Sequence, residues 1–233
     1  MSNVVHYSTE ANYAILKIAN GKVNAISHEV IDELNTYLDK AEQEERVVII
    51  AGQDGILSGG FDLKIMTKSP DAAKELVTKG SKLSLRLLSF PYPVIVACGG
   101  HAVAKGAFLL LSADYRLGVA GDFKIGLNEV MIGMTMHNAG VEIARGKLTP
   151  VYFQRSVANA EMYNPEDAVV AGFLDKIVPQ EHLLPTSTKV AQMFGQLNKK
   201  AHRDTKLKVR KETLERLEKA IEEDIAQELS FDA

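Results

Sequence analysis

Cysteine is nearly absent from this 233-residue sequence: there is one thiol, Cys98, and tryptophan is missing altogether. A lone cysteine excludes an internal disulfide, and its place in the apolar run Val94-Ile95-Val96-Ala97-Cys98 predicts a buried, inert thiol with no catalytic role. No apolar run approaches the ~20 residues that a membrane-spanning helix needs. The opening MSNVVHYSTE also lacks a basic stretch followed by an apolar one. These absences predict a cytoplasmic protein without a membrane partner. Neither sign of charge dominates, since 27 Lys and Arg stand against 30 Asp and Glu, a net charge of -3. No global basic field is therefore available to draw in nucleic acid, and any polyanion site must be local. The six histidines have no cysteine at ligand spacing, so no metal site is expected. His28-Glu29 does not open an H-E-x-x-H motif, because position 32 is Asp32.

What is present suits one core and an appendage: 46% of the residues are hydrophobic, 24% are charged and no internal repeat is found. Val4 to Tyr7 and Tyr13 to Ile18 read as a hairpin with a polar turn over Thr9 to Asn12. From Ser27, an N-cap candidate, the apolar residues Val30, Ile31, Leu34, Tyr37, Leu38 and Ala41 recur at helical spacing. Val47 to Ala51 is an all-apolar run of the kind that forms a strand covered on both faces. Ser69-Pro70 starts a further helix along Leu76, Gly80, Leu83 and Leu87. Val94 to Cys98 is a second buried strand, Gly106 to Ala113 a helix buried all round, and Tyr115 to Ala120 a third strand. Pro165 to Ala171 and Leu174 to Val178 add a helix and a strand. Pro179 and Pro185 then suggest a boundary between a core of residues 1–185 and a helical region of residues 186–233, with a stripe at Leu214, Leu217, Ile221 and Ile225. The rhythm is α/β with a helical tail.

Two glycine-containing turns follow predicted buried strands, at Leu57-Ser58-Gly59-Gly60-Phe61-Asp62-Leu63-Lys64 and at Gly99-Gly100-His101-Ala102-Val103-Ala104-Lys105-Gly106-Ala107-Phe108. Both fall at strand C-terminal ends, where open α/β sheets bind ligands, and glycine allows backbone N–H groups to come close to a substrate. By itself this arrangement is also that of an ordinary strand-to-helix connection.

The run Leu57 to Met66 resembles the oxyanion signature F-S-x-G-x-D-L-x-x-M of the crotonase (enoyl-CoA hydratase/isomerase) superfamily, with Leu57 in place of the common aromatic. Pro93 to Asp114 resembles the second signature, Ile125-Gly126-Leu127-Asn128-Glu129-Val130 the third, and Asn164 to Pro179 a fourth. With Lys22-Val23-Asn24-Ala25-Ile26 the resemblance runs from about residue 4 to residue 185, the motifs in family order. It implies an α/β fold, a crotonase-like spiral of ββα units with a C-terminal helical region for trimerisation or as a lid, assembled as a homotrimer or a dimer of trimers. It also implies an acyl-CoA substrate, no separate cofactor, and two backbone N–H groups that hold the thioester carbonyl as an enolate forms.

Carried over by position, the two donors are Phe61 and Lys105, the latter at a place where relatives usually have glycine. The Lys105 side chain, not needed for that role, is expected in solvent. Ala25, Ser58, Gly60, Asp62, Leu63, Gly106 and Phe108 are the implied substrate-binding positions, Gly60 allowing the turn and Asp62 organising it. Hydratases of the family carry one catalytic glutamate in the second signature and one in the third. Here the first position is Phe108 and the second is Glu129. A phenyl ring offers no conventional hydrogen bond to an attacking water, whereas one carboxylate suffices to move a proton. The flanking residues also resemble single-glutamate enoyl-CoA isomerases, and Thr135 to Gly140 replaces the usual hydratase stretch. The resemblance therefore implies a 3-enoyl-CoA to 2-enoyl-CoA isomerase with Glu129 as the shuttle. Hydration of 2-enoyl-CoA, with Glu142 as a recruited carboxylate, is the alternative. A catalytically silent acyl-CoA-binding or assembly protein is the other. His137 could line the acyl pocket, but a structural or exposed histidine is the commoner outcome. The basic cluster from Lys199 to Lys211 is either a solvated helix face or a receiver of CoA phosphates.

Overall fold

The computed structural model describes residues 3–227. The final six positions of the expected helical region, 228–233, lie outside the described residues. The chain opens with the hairpin β1 (Val5–Glu10) and β2 (Tyr13–Ile18). β1 continues through Ser8 into Thr9 and Glu10, the two residues that the sequence suggested as the start of the turn. As the edge of its sheet it needs no second buried face, so polar residues are tolerated there. Helix α1 (His28–Gln43) begins where the Ser27 side chain accepts the Val30 N–H, and it buries Val30, Ile31, Leu34, Leu38 and Ala41. β3 (Val47–Ala51) and β4 (Gly55–Ser58) follow, then the single turn α2 (Leu63–Met66) and the long α3 (Pro70–Ser89). Ser69 caps α3 by accepting the Ala72 N–H, with Pro70 in the first turn, where its missing N–H costs nothing.

β5 (Val94–Cys98), β6 (Gly100–Val103) and α4 (Lys105–Leu111) repeat this order. β7 (Tyr115–Val119), β8 (Ile125–Gly126) and α5 (Asn138–Arg145) repeat it again. Each repeat gives one strand to each of two sheets. The larger sheet runs β1-β2-β3-β5-β7-β10, antiparallel only between β1 and β2; the smaller runs β4-β6-β8-β9. This is the expected spiral of ββα units. Helix α6 (Pro150–Val157), β9 (Met162–Tyr163), α7 (Pro165–Ala171) and β10 (Lys176–Val178) complete it. The short strand β6, and β4 at its last two residues Leu57 and Ser58, fall inside the segments read from sequence as glycine turns.

Because side chains alternate along a strand, the larger sheet buries two faces. Val48, Ile50, Val94, Val96 and Cys98 face the main core, while Val47, Ile49, Ile95 and Ala97 face a second, smaller one. Helix α8 (Leu183–Phe194) closes that second core with Leu183 and Ala191. Pro185 thus lies in the first turn of an element packed on the sheet, so the helical region counted from residue 186 begins inside the core. Cys98 is 1% exposed, and its thiol donates to the Gly100 carbonyl at 3.1 Å. Burial pushes that thiol up to about 12.

The last helix, α9 (Lys199–Ala226), returns across α3 and α5 of the same chain. It buries Leu217, Ala220, Ile221 and Asp224, whereas Ile225, expected on the same stripe, is exposed. Most of its basic cluster is neutralised by the fold. Lys206 and Arg210 bind Asp114 at 2.7 and 2.8 Å, Lys199 binds Glu45, and Lys200 and Arg203 bind Asp204. Among the described residues no helix is long and apolar enough to cross a membrane, and no group of three potential ligands could hold a metal ion.

Candidate active site

The two glycine-containing turns are jammed together where β4 and β6 end. In the first, the Ile26 N–H donates to the Gly60 carbonyl at 2.8 Å and the Asp62 N–H donates to the Ile26 carbonyl at 3.1 Å. These bonds flank Phe61 in a parallel bridge with Ile26, so the Phe61 N–H faces the opposite edge. Asn24, wholly buried with φ +50°, holds the strip behind the turn by donating to the Ile18 and Leu57 carbonyls at 3.1 and 2.7 Å. The Ser58 hydroxyl accepts the Gly60 N–H at 3.1 Å, and Gly60 has φ +108°. A Cβ at Gly60 would stand 3.0 Å from Ala104 Cβ and 3.7 Å from Lys105 N.

In the second turn Ala104 is held at φ +50°, and its N–H donates to the Gly126 carbonyl at 3.0 Å. Lys105 is then the first residue of α4. A Cβ at Gly106 would fall 2.3 Å from the Ser58 carbonyl oxygen, so only glycine lets the two turns meet this closely. The N–H groups of Phe61 and Lys105 are thus carried on adjacent turns.

Beside them is a cavity of about 380 Å³ lined by Phe61, Leu63, Ala104, Glu129 and His137 together with an apolar wall. Met66, Val77, Ile132 and Met134 form that wall, and Asn128 adds a polar atom. Glu129 is the one carboxylate among the described residues that line it. It is 5% exposed, its Oε2 has no hydrogen-bond partner, and burial pushes it up to about 7. The second titratable group in the wall is His137, 7% exposed, whose Nδ1 also has no partner. Burial lowers it to about 4, outweighing the opposing pull of Asp224, and the nearby Lys105 pushes in the same direction as burial. At neutral pH this imidazole is uncharged.

Of the positions the sequence singled out, the structure brings Phe61, Leu63, Glu129 and His137 to the cavity itself. Ser58, Gly60 and Gly106 build the turns, and Asp62 caps α2 by accepting the Lys64 N–H at 2.9 Å. Ala25 lies in the strip beside Phe61, its carbonyl accepting from the Asn20 side chain at 2.7 Å. Phe108 is 1% exposed, and its ring meets that of His137 edge-on at 5.6 Å, behind the wall. Glu142 points elsewhere, binding Arg145 at 3.0 Å and Arg216 at 3.2 Å. The Lys105 side chain does not reach solvent. It is 2% exposed, donates to the Gly80 carbonyl and the Ser84 hydroxyl, and is lowered by burial to about 7. The residues sequence reasoning missed are Asn128 and the apolar wall. Met66 and Asn128 stand inside the quoted motifs, whereas no local pattern marks Val77 or Met134 as neighbours.

The chain belongs to the enoyl-CoA hydratase/isomerase family, whose model matches residues 8–231. It is 57% identical to a solved enoyl-CoA hydratase/isomerase family protein from Pseudomonas syringae, with a TM-score of 0.95 over 97% of this chain and 98% of that one. It is 37% identical to an enoyl-CoA isomerase of Mycobacterium tuberculosis solved in the apo form, with a TM-score of 0.93 over 97% of this chain and 100% of that one. A probable enoyl-CoA hydratase of Bacillus subtilis is 33% identical over 144 residues, which make up 60% of this chain and 55% of that protein. The fold is therefore the crotonase fold, and its relatives include enzymes named for each of two reactions.

Proposed function

We propose that the protein is a 3-enoyl-CoA to 2-enoyl-CoA isomerase in which Glu129 is the single proton shuttle. The observation that carries this reading is that Glu129 is the one carboxylate among the described residues lining the cavity, with Phe108 where a hydratase would hold its second. In the reaction the Glu129 carboxylate takes a proton from C2. The C–H electrons pass into the C1–C2 bond and onto the thioester oxygen, and that charge is received by the N–H groups of Phe61 and Lys105. The protonated carboxyl then returns the proton to C4 as the double bond moves to C2–C3. A carboxyl raised to about 7 suits both halves of this cycle, since it is neither too weak a base nor too weak an acid near neutral pH. No cofactor beyond the CoA of the substrate enters this scheme, and the same reading places the enzyme in the cytoplasm as a trimer or a dimer of trimers.

One observation favours hydration as the second reading: His137, which lines the same cavity, has a ring nitrogen without a hydrogen-bond partner, and such a group could orient a water. The deciding experiment offers 3-hexenoyl-CoA and crotonyl-CoA to the protein in parallel. Formation of the conjugated thioester from the first, with slow hydration of the second, is expected. Fast hydration without isomerisation would overturn the proposal.

A further inference from the structure

The side chains of the two residues that offer N–H groups to the thioester converge on one point of α3. The Lys105 ammonium donates to the Gly80 carbonyl at 2.6 Å and to the Ser84 hydroxyl at 2.7 Å. The Phe61 ring comes to the same place: a Cβ on Gly80 would lie 2.4 Å from Phe61 Cζ and 3.3 Å from Lys105 Cε. Gly80 therefore has no side chain where these two need room. Among the described residues no carboxylate forms an ion pair with Lys105, whose partners are both neutral. An ammonium in such surroundings is costly to bury, whereas a methionine would fill the same channel without that cost. What the ammonium adds is a directional tie between the first residue of α4 and the middle of α3.

We infer that Gly80 and Ser84 of α3, through the Lys105 side chain and the Phe61 ring, are positioning residues that fix the separation of the two oxyanion-hole N–H groups. The inference rests on the acyl-CoA reading of the site. Phe61 and Lys105 sit on different turns, and backbone contacts at Gly60, Ala104 and Gly106 set how close those turns come. The Ile26 bonds aim the Phe61 N–H and the start of α4 aims that of Lys105, but none of these backbone contacts ties either turn to α3. A common anchor for both side chains on α3 adds that tie, which holds the two turns at one separation for hydrogen bonds aimed at a charge that exists only in the transition state.

The test compares Lys105→Met, which keeps the backbone N–H and the stem but loses the tie, with Gly80→Ala, which displaces the Phe61 ring. Each folded variant is examined in two ways: steady-state isomerisation of 3-hexenoyl-CoA, and infrared difference spectroscopy of bound hexanoyl-CoA carrying ¹³C in its thioester carbonyl. Expected for Lys105→Met is a kcat lower by about tenfold, less than the ~10²–10³ that loss of a whole donor costs. KM should stay near that of the parent, and the carbonyl stretch should move up towards its value in free hexanoyl-CoA. Should Gly80→Ala fail to fold, Lys105→Met alone decides. A folded Lys105→Met with the parent's kcat and carbonyl stretch overturns the inference. So does a fall in kcat with an unmoved stretch, because the lost catalysis would then lie elsewhere. The spectroscopic arm uses a saturated thioester and does not depend on which reaction is catalysed. Failure of the parent to bind hexanoyl-CoA would instead overturn the acyl-CoA reading, and the inference with it.

Discussion

The carboxylate of Asp224 accepts the backbone N–H of Asn138 at 2.8 Å across 86 residues of chain. Its other oxygen accepts the Ala139 N–H at 2.9 Å, so the start of α5, where the preceding His137 offers no side-chain cap, is capped from the end of α9. Asp224→Ala would strand two amide donors at a helix N-terminus. A cost of ~0.5–2 kcal/mol is the ordinary consequence of losing such a cap. Chemical denaturation should show that loss, and because His137 adjoins the cap, thioester affinity should fall with it.

Glu129→Gln keeps the shape of the side chain and removes the proposed base. Turnover should drop by the ~10²–10⁴ typical of general acid–base catalysis. Calorimetry with hexanoyl-CoA should show affinity near that of the parent, since glutamine keeps the size and polarity of the side chain. A variant that turned over at the parent rate would remove Glu129 from the mechanism.

The pH profile follows from the same residue. In the proposed reaction Glu129 must be ionised to accept the C2 proton, and burial raises it to about 7 in the free enzyme. kcat/KM should therefore rise with pH up to roughly neutral and level off above it. The sign for stability is the reverse: a carboxyl that titrates higher when folded than when unfolded favours the fold most at low pH. That contribution fades as pH rises through about 7. A profile already flat from pH 5 to 8 would contradict both expectations.

Gly60→Val and Gly106→Val probe the contact between the turns. The first would put a branched residue at φ +108° with its Cβ 3.0 Å from Ala104 Cβ; the second would place a Cβ 2.3 Å from the Ser58 carbonyl oxygen. Displacing one donor N–H typically costs ~2.7–4 kcal/mol in the transition state. Each variant should lose kcat accordingly, and Gly106→Val should also unfold at lower temperature.

Glu142→Gln supplies the contrast. Its ion pairs to Arg145 and Arg216 lie away from the cavity, and pairs of that kind contribute at most ~1 kcal/mol. Turnover should be unchanged and stability barely altered. Loss of turnover would bring the recruited-carboxylate alternative back.

Legibility in the sequence tracked the range of the interactions involved. β3 and β5 could be read from their apolar runs because a strand covered on both faces leaves no polar position to interrupt it. β4 and β6 could not, since each is four residues long, contains glycine and owes its strand geometry to the neighbour it pairs with. Glu129 was found through its motif; its burial depends on packing that no local pattern encodes. The fate of Lys105 was illegible for the same reason, as its partners lie 25 and 21 residues upstream on another helix. A lysine after a turn ordinarily points to water, and only the glycine at position 80 hinted at a helix face that must admit something bulky.

Cys98 gives the molecule a native reporter. The thiol sits in the central strand that leads into β6 and the second turn, shielded from reagents and held protonated by its surroundings. Since no other cysteine competes, alkylation in the absence of denaturant would record one kind of event, the parting of the large sheet around β5. Its rate, set against that of a free thiol, converts to an opening free energy. Following that clock with and without a bound thioester would tell whether ligand stiffens the scaffold or only the turns at its rim.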